Sequence, residues 1–190
     1  MAPRSSRTHK ITSTLGGRSI VLIGLMGCGK SSIGRRLATR LKLPFVDADS
    51  EIEQAAGKSI ADIFAEDGED VFRDGERRVI ARLLDSPAQV LATGGGAFMN
   101  AEIRDNIRDK GISLWLRADL DLLMERVERR SHRPLLQAAD PRAIMQNLIT
   151  ERYPVYEQAD ITVDSQKAAH DVIVRDTVRK LADYLTTKRD

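Results

Sequence analysis

Cysteine occurs once in these 190 residues, at Cys28, so no disulfide can form within the chain, and a reducing, cytoplasmic setting is the expectation. No apolar run approaches the roughly 18 residues of a membrane-spanning helix, which leaves no candidate span. An excess of one charge is missing too. Thirty Lys and Arg stand against 28 Asp and Glu, and the net of +2 is too small to imply nucleic acid or an acidic membrane as a partner. The histidines His9, His132 and His170 lack metal-ligand spacing. Internal repeats and low-complexity segments are absent. The opening residues 1–17, MAPRSSRTHKITSTLGG, contain no acid and no apolar stretch of secretory-signal length. Their basic, Ser-rich make-up matches an organelle transit segment as well, but a disordered basic tail over 1–18 is the expectation.

What is present is ordinary globular composition, 42% apolar and 31% charged, at a length that suggests one domain, placed at 19–187. Short apolar strands alternate with helical patterns. SIVLIG, FVDAD, AQVLATGGG, ISLWLRA and DITVD read as strands. Helices are expected from Lys30, from Ser50, over one or two segments between Ser59 and Asp85, from Asn100, from Asp119, from Ala143 and from Ala168. Ser59 and Asp119 are placed as N-caps. This alternation predicts an α/β fold with a five-stranded parallel sheet flanked by helices. Ligands of such sheets sit beyond the carboxyl ends of the strands, where Gly24, Asp47, Asp49 and Gly94–Gly96 fall.

Gly24–Ser31, GLMGCGKS, fits the phosphate loop G-x-x-x-x-G-K-[ST] between a strand and a helix. Glycines let main-chain N–H groups approach phosphate, and the following helix adds its positive end. Gly27, Cys28, Gly29, Lys30, Ser31 and Ser32 are therefore candidates for holding ATP. Lys30 faces the β- and γ-phosphates, and Ser31 offers a hydroxyl to Mg²⁺. A thiolate at Cys28 would be favoured by the helix end, but a small residue tolerated in the loop is the simpler reading. By itself the loop fits an ATPase, a GTPase or a small-molecule kinase. The absence of N-K-x-D disfavours a GTPase, the length is short for a motor ATPase, and no strand ends in a lone Walker B aspartate.

Taken in order, GLMGCGKS, the D-x-D of Asp47 and Asp49, SIADIF…FRDGE, TGGG, RPLL and ERYPVY resemble the shikimate kinase family over residues 19–185. The resemblance implies a P-loop kinase of the nucleoside-monophosphate-kinase type, with a substrate-binding segment at 49–78 and a lid at 130–142. It also implies Mg²⁺ at Ser31 and Asp47, and catalysis by Lys30, Asp49 and Arg133. Shikimate would be held by Asp49, Arg73, Gly94, Gly95, Gly96 and Arg152, with Arg126 stacking on adenine and Arg133 covering the transferring phosphoryl group. Glu76, three residues after Arg73, could hold that arginine in place or be an ordinary exposed partner. Gly75 interrupts the same helix at a cost of about 1 kcal/mol relative to Ala. Trp115 is assigned to the core. The expected partners are ATP and shikimate, with no nucleic acid and no membrane, in a monomer. Residue chemistry alone supports phosphoryl transfer to a small hydroxyl-bearing anion. A kinase for another hydroxy acid such as gluconate, or a nucleotide-binding regulatory module without turnover, stay open as alternatives.

Overall fold

Ser19–Ile23 is apolar and β-branched, and all five of its residues are buried, as the middle strand of a covered sheet requires. This strand, β1, is joined in a computed structural model by β2 (Phe45–Asp47), β3 (Val90–Ala92), β4 (Gly111–Arg117) and β5 (Ile161–Asp164). The structure describes residues 4–129 and 139–187. The strand order is β2-β3-β1-β4-β5, and every neighbouring pair is parallel, so the sheet is the one expected. Leu22 pairs with Ala92 on one side and Leu114 on the other, and Asp47 pairs with Ala92. This register sets the glycine loop after β1 between the TGGG turn after β3 and the Asp119 cap after β4.

Helix α2 (Lys30–Leu41) buries Ile33, Gly34, Leu37, Ala38 and Leu41. A Cβ on Gly34 would lie 2.6 Å from the Phe45 ring and 2.8 Å from Leu22, so glycine is what lets this helix press against the sheet. Asp47 caps α3 (Ala48–Ala56), accepting from the Asp49 N–H at 3.2 Å. The Ser59–Asp85 stretch resolves into α4 (Ile60–Glu66) and α5 (Glu69–Leu84), parted by Gly68 at φ 87°. Ser59 caps α4 and Asp119 caps α7 (Leu120–Glu128), both as expected. Helix α6 (Ala101–Lys110) precedes β4, α8 (Pro141–Tyr156) precedes β5, and α9 (His170–Thr187) follows it. Trp115 is buried in the core. No helix among the described residues is long and apolar enough to cross a membrane.

One expectation is corrected. Residues 4–14 of the expected tail are helical rather than disordered. Helix α1 (Arg4–Thr14) packs on α2 and α9, and Ile11 and Leu15 are each only 1% exposed. The physical reason is spacing: two apolar residues four apart share a helical face, and charge and Ser/Thr content hid that pair.

Candidate active site

The glycine loop is shaped by contacts that only glycine tolerates. Gly24 has φ 138°, and a Cβ there would lie 2.8 Å from both the Leu116 carbonyl and the Cys28 sulfur. Gly27 has φ 84°, with the Leu123 carbonyl 3.0 Å from its Cβ position. Gly29 precedes α2 as its N-cap, so the positive helix end faces the loop. Lys30 folds back over the loop, and its Nζ donates to the carbonyls of Gly24 at 2.6 Å and Leu25 at 3.2 Å. Ser31 and Ser32 line the cleft above the helix end. Cys28 is different. Its side chain is 1% exposed and packs under the loop, and its N–H bonds the Leu25 carbonyl at 3.2 Å. Packing, rather than reactivity, accounts for this residue.

Three acids, Asp47, Asp49 and Glu76, line the cleft beside the loop. The Ser31 hydroxyl donates to Asp47 Oδ2 at 3.0 Å, while Asp47 Oδ1 caps α3. Asp47 is thus both a helix cap and a partner of Ser31. Asp49 lies two residues further on, in the first turn of α3. Its Oδ1 is 3.0 Å, and Glu76 Oε1 2.8 Å, from the point where a Cβ on Gly94 would sit, so both carboxylates converge on bare glycine backbone. Glu76 is no exposed partner: it is 1% accessible and forms a 2.8 Å ion pair with Arg73, whose guanidinium also meets Glu69 at 3.1 Å. Burial pushes the Glu76 carboxyl above its ordinary value, and the nearby Asp49 charge pushes the same way against the pull of Arg73. Glu76 Oε1 has no hydrogen-bond partner among the described residues.

The TGGG turn receives an arginine from each of two helices. On α5, Arg73 packs so closely that a Cβ on Gly96 would be 2.6 Å from its guanidinium nitrogen. On α8, Arg152 brings a nitrogen within 3.5 Å of the corresponding point on Gly95. The structure therefore gathers Asp49, Arg73, Gly94, Gly95, Gly96 and Arg152 into one place. Two planar cations over exposed main chain suit a carboxylate, and the acid beside them suits a hydroxyl. Phe64 and Phe72, with ring centroids 4.6 Å apart, wall this end of the cleft. Gly75 points away from it, and a Cβ there would meet nothing within 4 Å, so no packing constraint demands glycine.

At the other end, Arg126 clasps the loop. Its guanidinium donates to the carbonyls of Gly27 and Cys28, each at 3.2 Å, to Ser165 Oγ at 2.8 Å and to the Gln166 carbonyl at 3.0 Å. The edge of the fork is thereby engaged, and the position fits a nucleotide-base pocket that His170 and Ile173 also line. Arg133 and most of the expected lid, 130–142, lie outside the described residues; Asp140 caps α8 by accepting from the Ala143 N–H at 2.9 Å. The whole cleft measures about 730 Å³, ample for two ligands side by side. Sequence reasoning missed Ser165, which no local pattern marks. It also passed over Tyr153 and Tyr156 inside ERYPVY, although Arg152 and Tyr156, four apart, share a helical face. Among the described residues no cluster of three or more His, Cys, Asp or Glu could hold a metal; beside the phosphate loop, the Ser31 hydroxyl and the Asp47 carboxylate lie 3.0 Å apart.

Comparison with known proteins agrees with this geometry. The shikimate kinase family model matches residues 26–182. The chain is 59% identical over 182 residues to the shikimate kinase of Bradyrhizobium diazoefficiens, covering 96% of this chain and 88% of that one. It is 56% identical over 184 residues to that of Rhodopseudomonas palustris, covering 97% and 91%. Among solved structures it is similar to the shikimate kinase from Acinetobacter baumannii in complex with shikimate. That likeness has a TM-score of 0.81 at 34% identity over 94% of this chain and 98% of the other.

Proposed function

The chain belongs to the shikimate kinase family, and from that premise we propose that its cleft carries the γ-phosphoryl group of ATP to the 3-hydroxyl of shikimate, giving shikimate 3-phosphate and ADP. The observation that carries the reading is the convergence of Arg73, Arg152 and Asp49, from three different helices, on the glycine turn next to the phosphate loop. Shikimate is a carboxylate with ring hydroxyls. The two guanidinium groups bind the carboxylate, which fixes the ring, and the ring then delivers a hydroxyl to Asp49.

Phosphoryl transfer passes through a loose transition state and needs little proton removal early on, so a weakly basic carboxylate suffices. Asp49 orients the hydroxyl and accepts its proton as the new bond forms. Lys30 leaves the carbonyls of Gly24 and Leu25 for the β- and γ-phosphates, and the N–H groups of the loop hold the phosphate chain. Ser31 and Asp47, with their hard oxygens 3.0 Å apart, are the residues that would hold Mg²⁺. When bound, the ion neutralises charge on the phosphates. Arg133 of the RPLL motif supplies a further cation over the transferring group, and Arg126 offers its face to adenine. Closure over the cleft keeps water from competing as acceptor.

A coupled ADP-release assay with shikimate and gluconate side by side tests the assignment. Shikimate-dependent ADP release is the expected result. Turnover with gluconate instead, or metabolite binding with no ADP formed, would replace it with another acceptor or with a regulatory module.

A further inference from the structure

The geometry points to Tyr156 as a positioning residue for the acceptor substrate: its hydroxyl holds the Gly95–Gly96 peptide and Arg152 in one fixed relation. This rests on the reading that shikimate lies against the glycine turn.

Tyr156 is fully buried, and its hydroxyl donates to the Gly95 carbonyl. That carbonyl and the Gly96 N–H belong to one planar trans peptide and point in opposite directions. Gly95 and Gly96 line the cleft, and Tyr156 lies behind them in the core. Anchoring the carbonyl on the core side therefore turns the Gly96 N–H to the cleft side. Three successive glycines have no side chains to choose between such peptide orientations, so the choice falls to an external partner.

The same oxygen is in contact with Arg152, one helical turn earlier on α8. Arg152 Nε is buried and has no hydrogen-bond partner among the described residues, which makes the rest of the guanidinium's contacts decisive for its direction. The Tyr156 ring is itself fixed, edge-on to Trp115 at 5.9 Å and to Phe98 at 6.4 Å between centroids. Burial pushes its phenol up to about 12, so the hydroxyl keeps its proton and donates throughout the neutral range. Tyr153 provides an internal comparison. Its hydroxyl donates to the carbonyl of Ala118, after β4, a residue that does not line the cleft.

The test compares Tyr156→Phe and Tyr153→Phe with the wild type in the ADP-release assay, with Tm measured on the same preparations. Tyr156→Phe keeps the ring and removes only the hydroxyl. Its shikimate KM should rise about tenfold, the scale of one lost hydrogen bond in the site, while its ATP KM stays within twofold. Tyr153→Phe should leave both KM values within twofold. A shikimate KM within twofold of wild type for Tyr156→Phe overturns the inference. So does a joint rise of both KM values with a lowered Tm, which would mean packing alone. Wild-type protein inactive towards shikimate would instead sink the functional reading on which the inference rests.

Discussion

Gly96→Ala isolates the part played by Arg73. Gly96 has φ −93° and ψ −15°, a conformation that alanine adopts without strain. The added methyl would meet nothing rigid. It would lie 2.6 and 2.8 Å from the two terminal guanidinium nitrogens of Arg73 and 3.0 Å from its central carbon. Ordinary contact begins at 3.4 Å, so the guanidinium must retreat by about 0.8 Å. Glu76 at 2.8 Å and Glu69 at 3.1 Å hold the same guanidinium, so the retreat disturbs a group already fixed by two ion pairs. The substrate carboxylate then loses one charge-assisted hydrogen bond, about 1.5–3 kcal/mol, or roughly ten- to a hundredfold in shikimate KM. The ATP KM and Tm should barely move. Steady-state ADP release reads the first two quantities and a thermal melt the third. The decisive comparison is the double variant: on an Arg73→Ala background, Gly96→Ala should add nothing, because its target has gone. If Gly96→Ala leaves the shikimate KM within twofold, or costs as much without Arg73 as with it, the proposed contact is wrong.

Asp49→Asn should retain ATP binding and lose most turnover, since an amide can orient a hydroxyl but not take its proton; near-normal kcat would remove Asp49 from the chemistry. The raised Glu76 carboxyl gives a signed pH dependence. The folded protein holds that proton to higher pH than the unfolded chain, so the associated stability is complete below about 4.5 and is lost as pH rises through the folded value. Glu76→Gln should therefore gain Tm relative to wild type between pH 4.5 and neutrality, while its shikimate KM rises as Arg73 loses its anchor. A Tm difference that stays constant with pH would refute the buried ionisation. Leu15→Ala should destabilise by about 2–5 kcal/mol in urea unfolding, and a loss below about 1 kcal/mol would mean that α1 does not dock as described.

The fold was legible because its signals are local. SIVLI, ISLWL and ITV could hardly be anything but strands, and the caps at Ser59 and Asp119 announced the helices that follow. The phosphate loop was equally plain, since its glycines answer a main-chain demand visible at single positions. Less accessible was everything that depends on two distant segments meeting. Glu76 reads as one acid among many until α5 buries it. Ser165 becomes visible only when β5 ends beside the loop after β1, where its hydroxyl donates to the Cys28 carbonyl at 2.8 Å. Nothing local in SIADIF…FRDGE marks Phe72 as buried and Phe64 as 39% exposed at the cleft. Helix α1 was missed for the same reason: Ile11 and Leu15 acquire meaning from the α2 and α9 faces they cover.

The pairing of α1 with α9 has a bearing on how the molecule is made. Lys10, Ile11 and Thr14 meet Ala182, Leu185 and Thr186 around one small hollow, while the entire sheet is encoded between them. A ribosome adding 5–20 residues each second delivers α9 roughly ten to thirty seconds after α1. For that interval the greasy side of the first helix has α2 as its early shelter and lacks its second wall. Nascent chains halted before α9 should accordingly be easier prey for proteases at this end than the finished protein.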